Sequence, residues 1–197
     1  MYRAGGKRVL DVVGAALLLL AALPLMSAVA ALVWLRLGRP VLFRQARSGR
    51  HGVIFELVKF RTMRPGIGPD AIRLTPLGRG LRALALDELP QLWLVLRGRM
   101  SLVGPRPLPP GYEALYTPRE ATRLHVRPGL CGLAQSQGRN AVPWAERLEW
   151  DARYLGRITL LGDLRIMRRC AAVLLRGQGV GTSPALTASR ADPSASP

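Results

Sequence analysis

Two adjacent carboxylates, Asp87-Glu88, stand in the segment Leu84-Ala85-Leu86-Asp87-Glu88-Leu89-Pro90. Acids near a helix start ordinarily complement the helix dipole, and one carboxylate suffices for that. Here two occur in an apolar, strongly basic neighbourhood. Neighbouring arginine keeps a carboxylate ionised, so the pair suits nucleophilic attack or the holding of Mg²⁺. Three basic segments can supply the opposing charge. Lys59-Phe60-Arg61 sets two cations two residues apart at a strand end, pointing the same way, either an anion clamp or a basic surface. Gly104-Pro105-Arg106-Pro107 fixes one arginine on a rigid backbone, as a phosphate or base contact needs; a polyproline turn that happens to contain arginine is the plainer reading. Gly138-Arg139-Asn140 adds an arginine in a loop.

The elements that must position these groups are short. Residues 53–60 read as a strand, and 64–76, with three prolines and two glycines, as a loop. Helices are expected over 77–86 and from Leu89 to Leu96, with Pro90 in the first turn, where proline is tolerated. Four of the nine residues from Val103 to Gly111 are proline, which forces an extended segment. Amphipathic helices are expected over 113–126 and 143–155. A last one, 164–176, is capped by Asp163 and is basic enough either to lie in a membrane interface or to pack on the domain with a solvated face.

The whole chain has 197 residues and a formal charge of +17, which at about 100–200 residues per domain is one domain with at most an appendage. Its 29 basic residues comprise 27 arginines and only Lys7 and Lys59. Arginine is the bidentate partner of phosphate and carboxylate, so phosphate-bearing partners are the first expectation. Hydrophobic residues at 49% exclude disorder throughout. Cys131 and Cys170 have no metal-ligand spacing, which excludes a disulfide framework and speaks against structural zinc. No phosphate-binding glycine loop or dinucleotide fingerprint is present. Nucleic acid is not the expected partner, because the longest apolar run reads as a membrane anchor and no recognition fold is visible.

That run, Val12–Leu35, is 24 residues without a charge, about 36 Å as a helix. It is too long for the core of a secretion signal. A spanning helix and a re-entrant hairpin remain. Basic residues flank both ends, Arg3, Lys7 and Arg8 before and Arg36, Arg39, Arg44, Arg47 and Arg50 after, and positive flanks stay cytoplasmic. Pro24, at the midpoint, bends a helix. Together they favour a helix that enters one leaflet and returns.

In order along the chain, these pieces resemble the bacterial sugar transferases, the monotopic phosphoglycosyl transferases. The resemblance is carried by Lys7-Arg8 with Asp11, Phe43-Arg44-Gln45-x-Arg47-x-Gly49, Lys59-Phe60-Arg61-Thr62-Met63 and Leu81-Arg82. It continues through Leu86-Asp87-Glu88-Leu89-Pro90-Gln91-Leu92, Met100-Ser101-Leu102-Val103-Gly104-Pro105-Arg106-Pro107, Arg127-Pro128-Gly129, Gly132-Leu133-Ala134-Gln135, Gly138-Arg139-Asn140 and Asp163. The chain departs from the family's usual residues at Leu23, Leu94, Arg99, Cys131 and Ser136-Gln137.

The resemblance implies transfer of a phosphosugar from a UDP-sugar to undecaprenyl (polyprenyl) phosphate, with UMP released and an aspartyl-phosphosugar intermediate. That is the initiating step of exopolysaccharide, O-antigen or glycoprotein glycan assembly. Asp87 is then the nucleophile and Glu88 its partner, both at Mg²⁺. Lys59, Arg61, Arg82, Pro105, Arg106, Pro107 and Arg139 line the substrate site, and Pro24 is the membrane kink. The expected architecture is mainly α with a little β: a re-entrant membrane hairpin over 1–36, a small α/β cytosolic domain with interfacial amphipathic helices over 37–176, and a disordered tail over 177–197. This is the short form of the family, with no further spanning helices before residue 7. The expected place is the cytoplasmic face of the bacterial inner membrane, with a homodimer left open. The rival expectation is a non-catalytic membrane adaptor whose arginine surface binds anionic lipid or polyanion.

Overall fold

A computed structural model describes residues 2–67, 69–177 and 179. The chain opens with one long helix, α1 (Lys7–Leu37), which carries Pro24 inside it. At 31 residues it is about 46 Å long, and by length and composition it can cross a membrane. It ends at Gly38, whose φ of 73° is the left-handed conformation that glycine adopts freely and whose N–H bonds the carbonyl of Trp34.

Four side chains of α1 are buried: Asp11, Ala15, Val29 and Val33. Positions 11 and 29 are 18 residues, or five turns, apart, so the two pairs share one face of the helix. Ala15 packs into the main core with Leu92, Val95 and Met100, whereas Val29 and Val33 pack in a second cluster with Phe60 and Leu81. Between these anchors none of residues 16–28 is buried, and Leu17, Leu18, Leu20, Leu23 and Leu25 are exposed.

After α1 an antiparallel hairpin forms from β1 (Leu42–Ser48) and β2 (Ile54–Phe60), pairing Phe43 with Lys59, Gln45 with Leu57 and Arg47 with Phe55. Strand alternation puts all six of these residues on one face. The expected loop over 64–76 contains α2 (Asp70–Arg73) and the start of α3 (Pro76–Ala83), with a bridge from Met63 to Leu74. Thr75 caps α3 by accepting from the Gly78 N–H. A Cβ on Gly78 would lie 1.9 Å from the Thr62 carbonyl oxygen, so only glycine lets α3 approach the end of β2.

Next come α4 (Gln91–Leu96), β3 (Ser101–Val103), α5 (Pro118–Ala121) and β4 (Gly129–Cys131), with β3 and β4 paired in parallel. Gly104 and Gly129 touch backbone to backbone, a Cβ on Gly129 falling 2.0 Å from the Gly104 nitrogen. The helix expected over 113–126 is instead broken into a 3-10 turn, α5 and a second 3-10 turn. Pro118 forces this break: proline disfavours helix in Thr117, which caps α5 in a capping box with Glu120.

The fold closes with α6 (Trp144–Gly156) and α7 (Leu160–Leu175). Thr159, not Asp163, caps α7; Asp163 lies inside the first turn and turns inward. Its carboxylate accepts from Tyr2 Oη and Lys7 Nζ, both at 2.6 Å, and from Tyr154 Oη at 2.9 Å. Asp11 likewise accepts from Ser101 Oγ at 2.7 Å and Leu102 N at 3.0 Å. These bonds tie the start of α1 to the domain. The segment expected as a tail, 177–197, lies outside the described residues except for Gly177 and Gly179.

Candidate active site

Between α3 and α4 the chain turns sharply at Ala85, whose φ is 53°, and then forms a 3-10 turn over Leu86–Glu88. The turn sets Asp87 and Glu88 at the wall of a cleft of about 590 Å³. Asp87 is only 4% exposed, yet no side chain among the described residues hydrogen-bonds it. Glu88 accepts from Arg106 Nη2 at 2.9 Å.

The cleft gathers Lys59, Arg61, Arg82, Arg106 and Arg139 with the two carboxylates. Lys59 comes from the inner face of the hairpin, 5.5 Å from the centre of the Phe43 ring. Arg82 leaves α3 and is aimed by its Nε bond to Thr62 Oγ1 at 3.0 Å. Arg139, held at a φ of 57°, donates to the carbonyls of Arg82 at 3.1 Å and Ala83 at 3.4 Å. Arg61 has a different employment: its guanidinium donates to the carbonyls of Leu37, of Gly38 at 2.8 Å and of Arg39 at 3.1 Å, closing the C-terminal end of α1.

Pro105 and Pro107 are buried on either side of exposed Arg106. Neither lines the main cleft. They hold the backbone from which Arg106 projects, and the Pro105 carbonyl is fixed by the Gly129 N–H at 2.9 Å. Behind them lies a support that the sequence reading did not single out. Arg123 donates to the Arg106 carbonyl at 2.6 Å and forms a fully enclosed ion pair with Asp151 at 2.8 Å.

Burial, and then the charge of Glu88, push the Asp87 carboxyl above its ordinary pKa, while Lys59, Arg82 and Arg106 pull it back only in part. Burial also pushes Glu88 up. There the charge and hydrogen bond of Arg106, with Lys59 and Arg139, win and hold it below the carboxylate range. The two carboxyls are therefore driven apart: Glu88 is held as an anion, and Asp87 is the more basic of the two. Burial lowers Lys59, opposed by Asp87.

Among the described residues no group of three or more His, Cys, Asp or Glu side chains converges. Zinc-like cages are thus not formed there. Mg²⁺ asks for less, since it keeps waters and binds through one or two carboxylates plus substrate phosphates. The unpartnered Asp87 beside Glu88 fits that donor set.

The structure adds Phe43, Gln45, Arg47, Arg64, Arg73 and Asn140 to the cleft lining. Arg47 donates to Gln45 Oε1 at 2.7 Å, and burial followed by the charge of Arg106 lowers its pKa to about 10. The signal for Phe43, Gln45 and Arg47 is their spacing of two, which marks one face of a strand.

The family described as bacterial sugar transferase matches residues 2–177. The uncharacterized sugar transferase EpsL of Bacillus subtilis is 42% identical over 190 residues, covering 93% of this chain and 94% of that protein. A UDP-glucose:undecaprenyl-phosphate glucose-1-phosphate transferase of Caulobacter vibrioides is 44% identical over 185 residues, covering 86% of this chain and 69% of that protein. The exopolysaccharide production protein ExoY of Rhizobium meliloti is 37% identical over 196 residues, covering 88% and 87%. The match spans α1, the hairpin and every cleft residue named above, and the chain belongs to the bacterial sugar transferase family, a sugar-phosphate transferase.

Proposed function

We propose that this enzyme moves a sugar phosphate from a UDP-sugar to undecaprenyl phosphate through a covalent intermediate on Asp87, with release of UMP, to start assembly of an exopolysaccharide or related glycan. The observation that carries the reading is Asp87 itself, buried, unpartnered and set among Lys59, Arg82 and Arg106. Donor and acceptor follow the activity for which the Caulobacter relative is named.

In this reading an Asp87 oxygen attacks the phosphorus that bears the sugar. A P–O bond forms as the bond to UMP breaks, and UMP leaves with the electron pair. An oxygen of undecaprenyl phosphate then attacks the same phosphorus and displaces Asp87 as a carboxylate. An anionic nucleophile reaches an anionic diphosphate only when cations neutralise it. The cleft lining offers eight arginine and lysine side chains against two carboxylates. Arg106, on its rigid strap, reaches the nucleotide end; Lys59, Arg82 and Arg139 face the phosphates. Asp87 and Glu88 would hold Mg²⁺, which supplies further positive charge at the diphosphate when bound.

The anchoring of α1 supports a re-entrant placement. Both of its ends touch one domain, at Ser101–Leu102 and at Phe60–Leu81, which supports a placement with both ends on the same side of a membrane. The unburied stretch between them, residues 16–28, is about 20 Å long, short of a hydrocarbon core of about 30 Å. Pro24 sits within it, and the domain faces the cytoplasm at the inner membrane. Exposed Leu160, Leu161 and Leu164 of α7, with Arg165 and Arg168, and Trp93 against Arg97, suit the interface beside it.

The test is UMP release over a panel of UDP-sugars by the wild-type enzyme and Asp87→Asn in membranes. Release that vanishes in the variant, with membrane association unchanged, is expected. Wild-type protein that binds membranes but releases no UMP from any donor is the adaptor instead. Topology is read by impermeant thiol labelling of Arg3→Cys, because Tyr2 is engaged with Asp163. Labelling from outside the cell would make α1 a spanning helix.

A further inference from the structure

A second cavity, of about 460 Å³, shares no lining residue with the catalytic cleft. It lies where α1 begins and is lined by Arg3, Lys7, Arg8, Arg50, His125 and Arg127. Its single carboxylate is Asp11, whose two oxygens are taken by Ser101 Oγ and Leu102 N. Lys7 is paired with Asp163. Arg3, Arg8, Arg50 and Arg127 form no ion pair among the described residues.

Three of these guanidiniums are nevertheless held in place. Arg8 donates to the carbonyls of Val95 at 2.8 Å and Leu96 at 3.1 Å. Arg127 Nε donates to the carbonyl of Gly98 at 2.9 Å, and Arg50 Nε to that of His125 at 3.1 Å. Each is pinned by one or two donors and keeps others for the cavity. Holding this many like charges around one carboxylate, Asp11, which lies 3.7 Å from Lys7, is costly; burial and the charges of Arg8 and Arg50 lower the Arg127 pKa, with Asp11 opposing them only in part. An anion relieves that cost. At the same level of α1, around the helix from the cavity, Val9, Leu10 and Val13 are exposed apolar side chains where the charged residues give way to the uncharged run. Phosphate oxygens match guanidinium geometry, and acyl chains match the exposed uncharged run of α1 that begins within a turn of the cavity.

We propose that this cavity is a second anion site, which takes the phosphate of an anionic membrane lipid where α1 enters the bilayer and so fixes the depth and tilt of the domain. The proposal rests on α1 entering a membrane, and not on the assignment of Asp87.

The experiment is thermal unfolding of the full chain in detergent, titrated with dihexanoyl phosphatidylglycerol or with inorganic phosphate. Ligand that binds only the folded state raises the melting temperature saturably. Wild-type protein should respond to the lipid at lower concentration than to inorganic phosphate. The double variant Arg50→Gln/Arg127→Gln should need about 25-fold more lipid, taking about fivefold per basic residue at an anionic surface. The matched pair Arg165→Gln/Arg168→Gln on α7 should stay near wild type. Should the double variant fail to fold, Arg50→Gln alone, at an exposed side chain, carries the test with a fivefold shift. Equal losses in the cavity and α7 variants, or inorganic phosphate matching the lipid in midpoint, overturn the proposal.

Discussion

Asp11, Asp151 and Asp163 at the supports of the fold and Asp87 in the cleft are equally enclosed, at 3–5% exposure, but they live in opposite circumstances. Asp163 accepts three hydrogen bonds, from Tyr2, Lys7 and Tyr154; Asp151 is locked to Arg123; Asp11 holds Ser101 and Leu102. Asp87 accepts none among the described residues and has only the distributed field of Lys59, Arg82 and Arg106. Burying a carboxylate without partners is costly, so a fold retains one only where its reactivity has a use. Partnering, rather than burial, separates the three aspartates that brace the fold from Asp87, to which the proposed mechanism gives the chemistry.

The contrast is broken most severely at Asp87. Asp87→Asn should cut UMP release by more than about 10³-fold, the scale of losing a group that acts in the transition state. Its melting temperature should not fall, because the amide is cheaper to bury than the ion. Near-normal turnover would remove Asp87 from the chemistry. Asp151→Asn should do the reverse, costing about 3–5 kcal/mol of stability by leaving Arg123 buried without its counter-charge. A urea titration measures this, and turnover per folded molecule should fall far less than in Asp87→Asn.

Arg106→Ala sits between the two regions and should lose about 10–100-fold in kcat/KM, the worth of a charge-assisted hydrogen bond. It also has a signed pH signature. Arg106 is the main influence holding Glu88 below the carboxylate range, and it also lowers Asp87. Without it both carboxyls protonate at higher pH, so the acidic limb of the rate profile should move upward; an unmoved limb would separate Arg106 from the dyad. The smallest effect is Thr159→Ala. Losing the α7 cap should cost about 1 kcal/mol with kcat unchanged. A larger cost in Asp163→Asn than in Thr159→Ala distinguishes the inward network from a helix cap.

Much of the site was legible before the fold. The basic and acidic groups of the cleft sit in short segments whose chemistry shows locally: a paired acid, a proline-locked arginine, alternating residues on a strand. What stayed hidden depended on partners far along the chain. Asp163 reads as a cap because it stands at a helix start, but Tyr2 and Lys7, more than 150 residues away, claim it. Arg61 reads as part of the anion clamp with Lys59, yet the end of α1 takes its guanidinium. Arg123 and Asp151 carry no pattern at all.

The sequence by itself determined that an uncharged helix of membrane length lies between basic flanks, that Pro24 falls within it, and that Asp87-Glu88 stands among arginines. These follow from composition and spacing along one chain. Tertiary structure alone decided that both ends of α1 dock on one domain, and that Asp87 goes unpartnered among the described residues while three other aspartates are satisfied. The physical reason is that burial and hydrogen bonding are sums over neighbours in space. Residues equivalent along the sequence become different acids once the fold chooses what stands next to them.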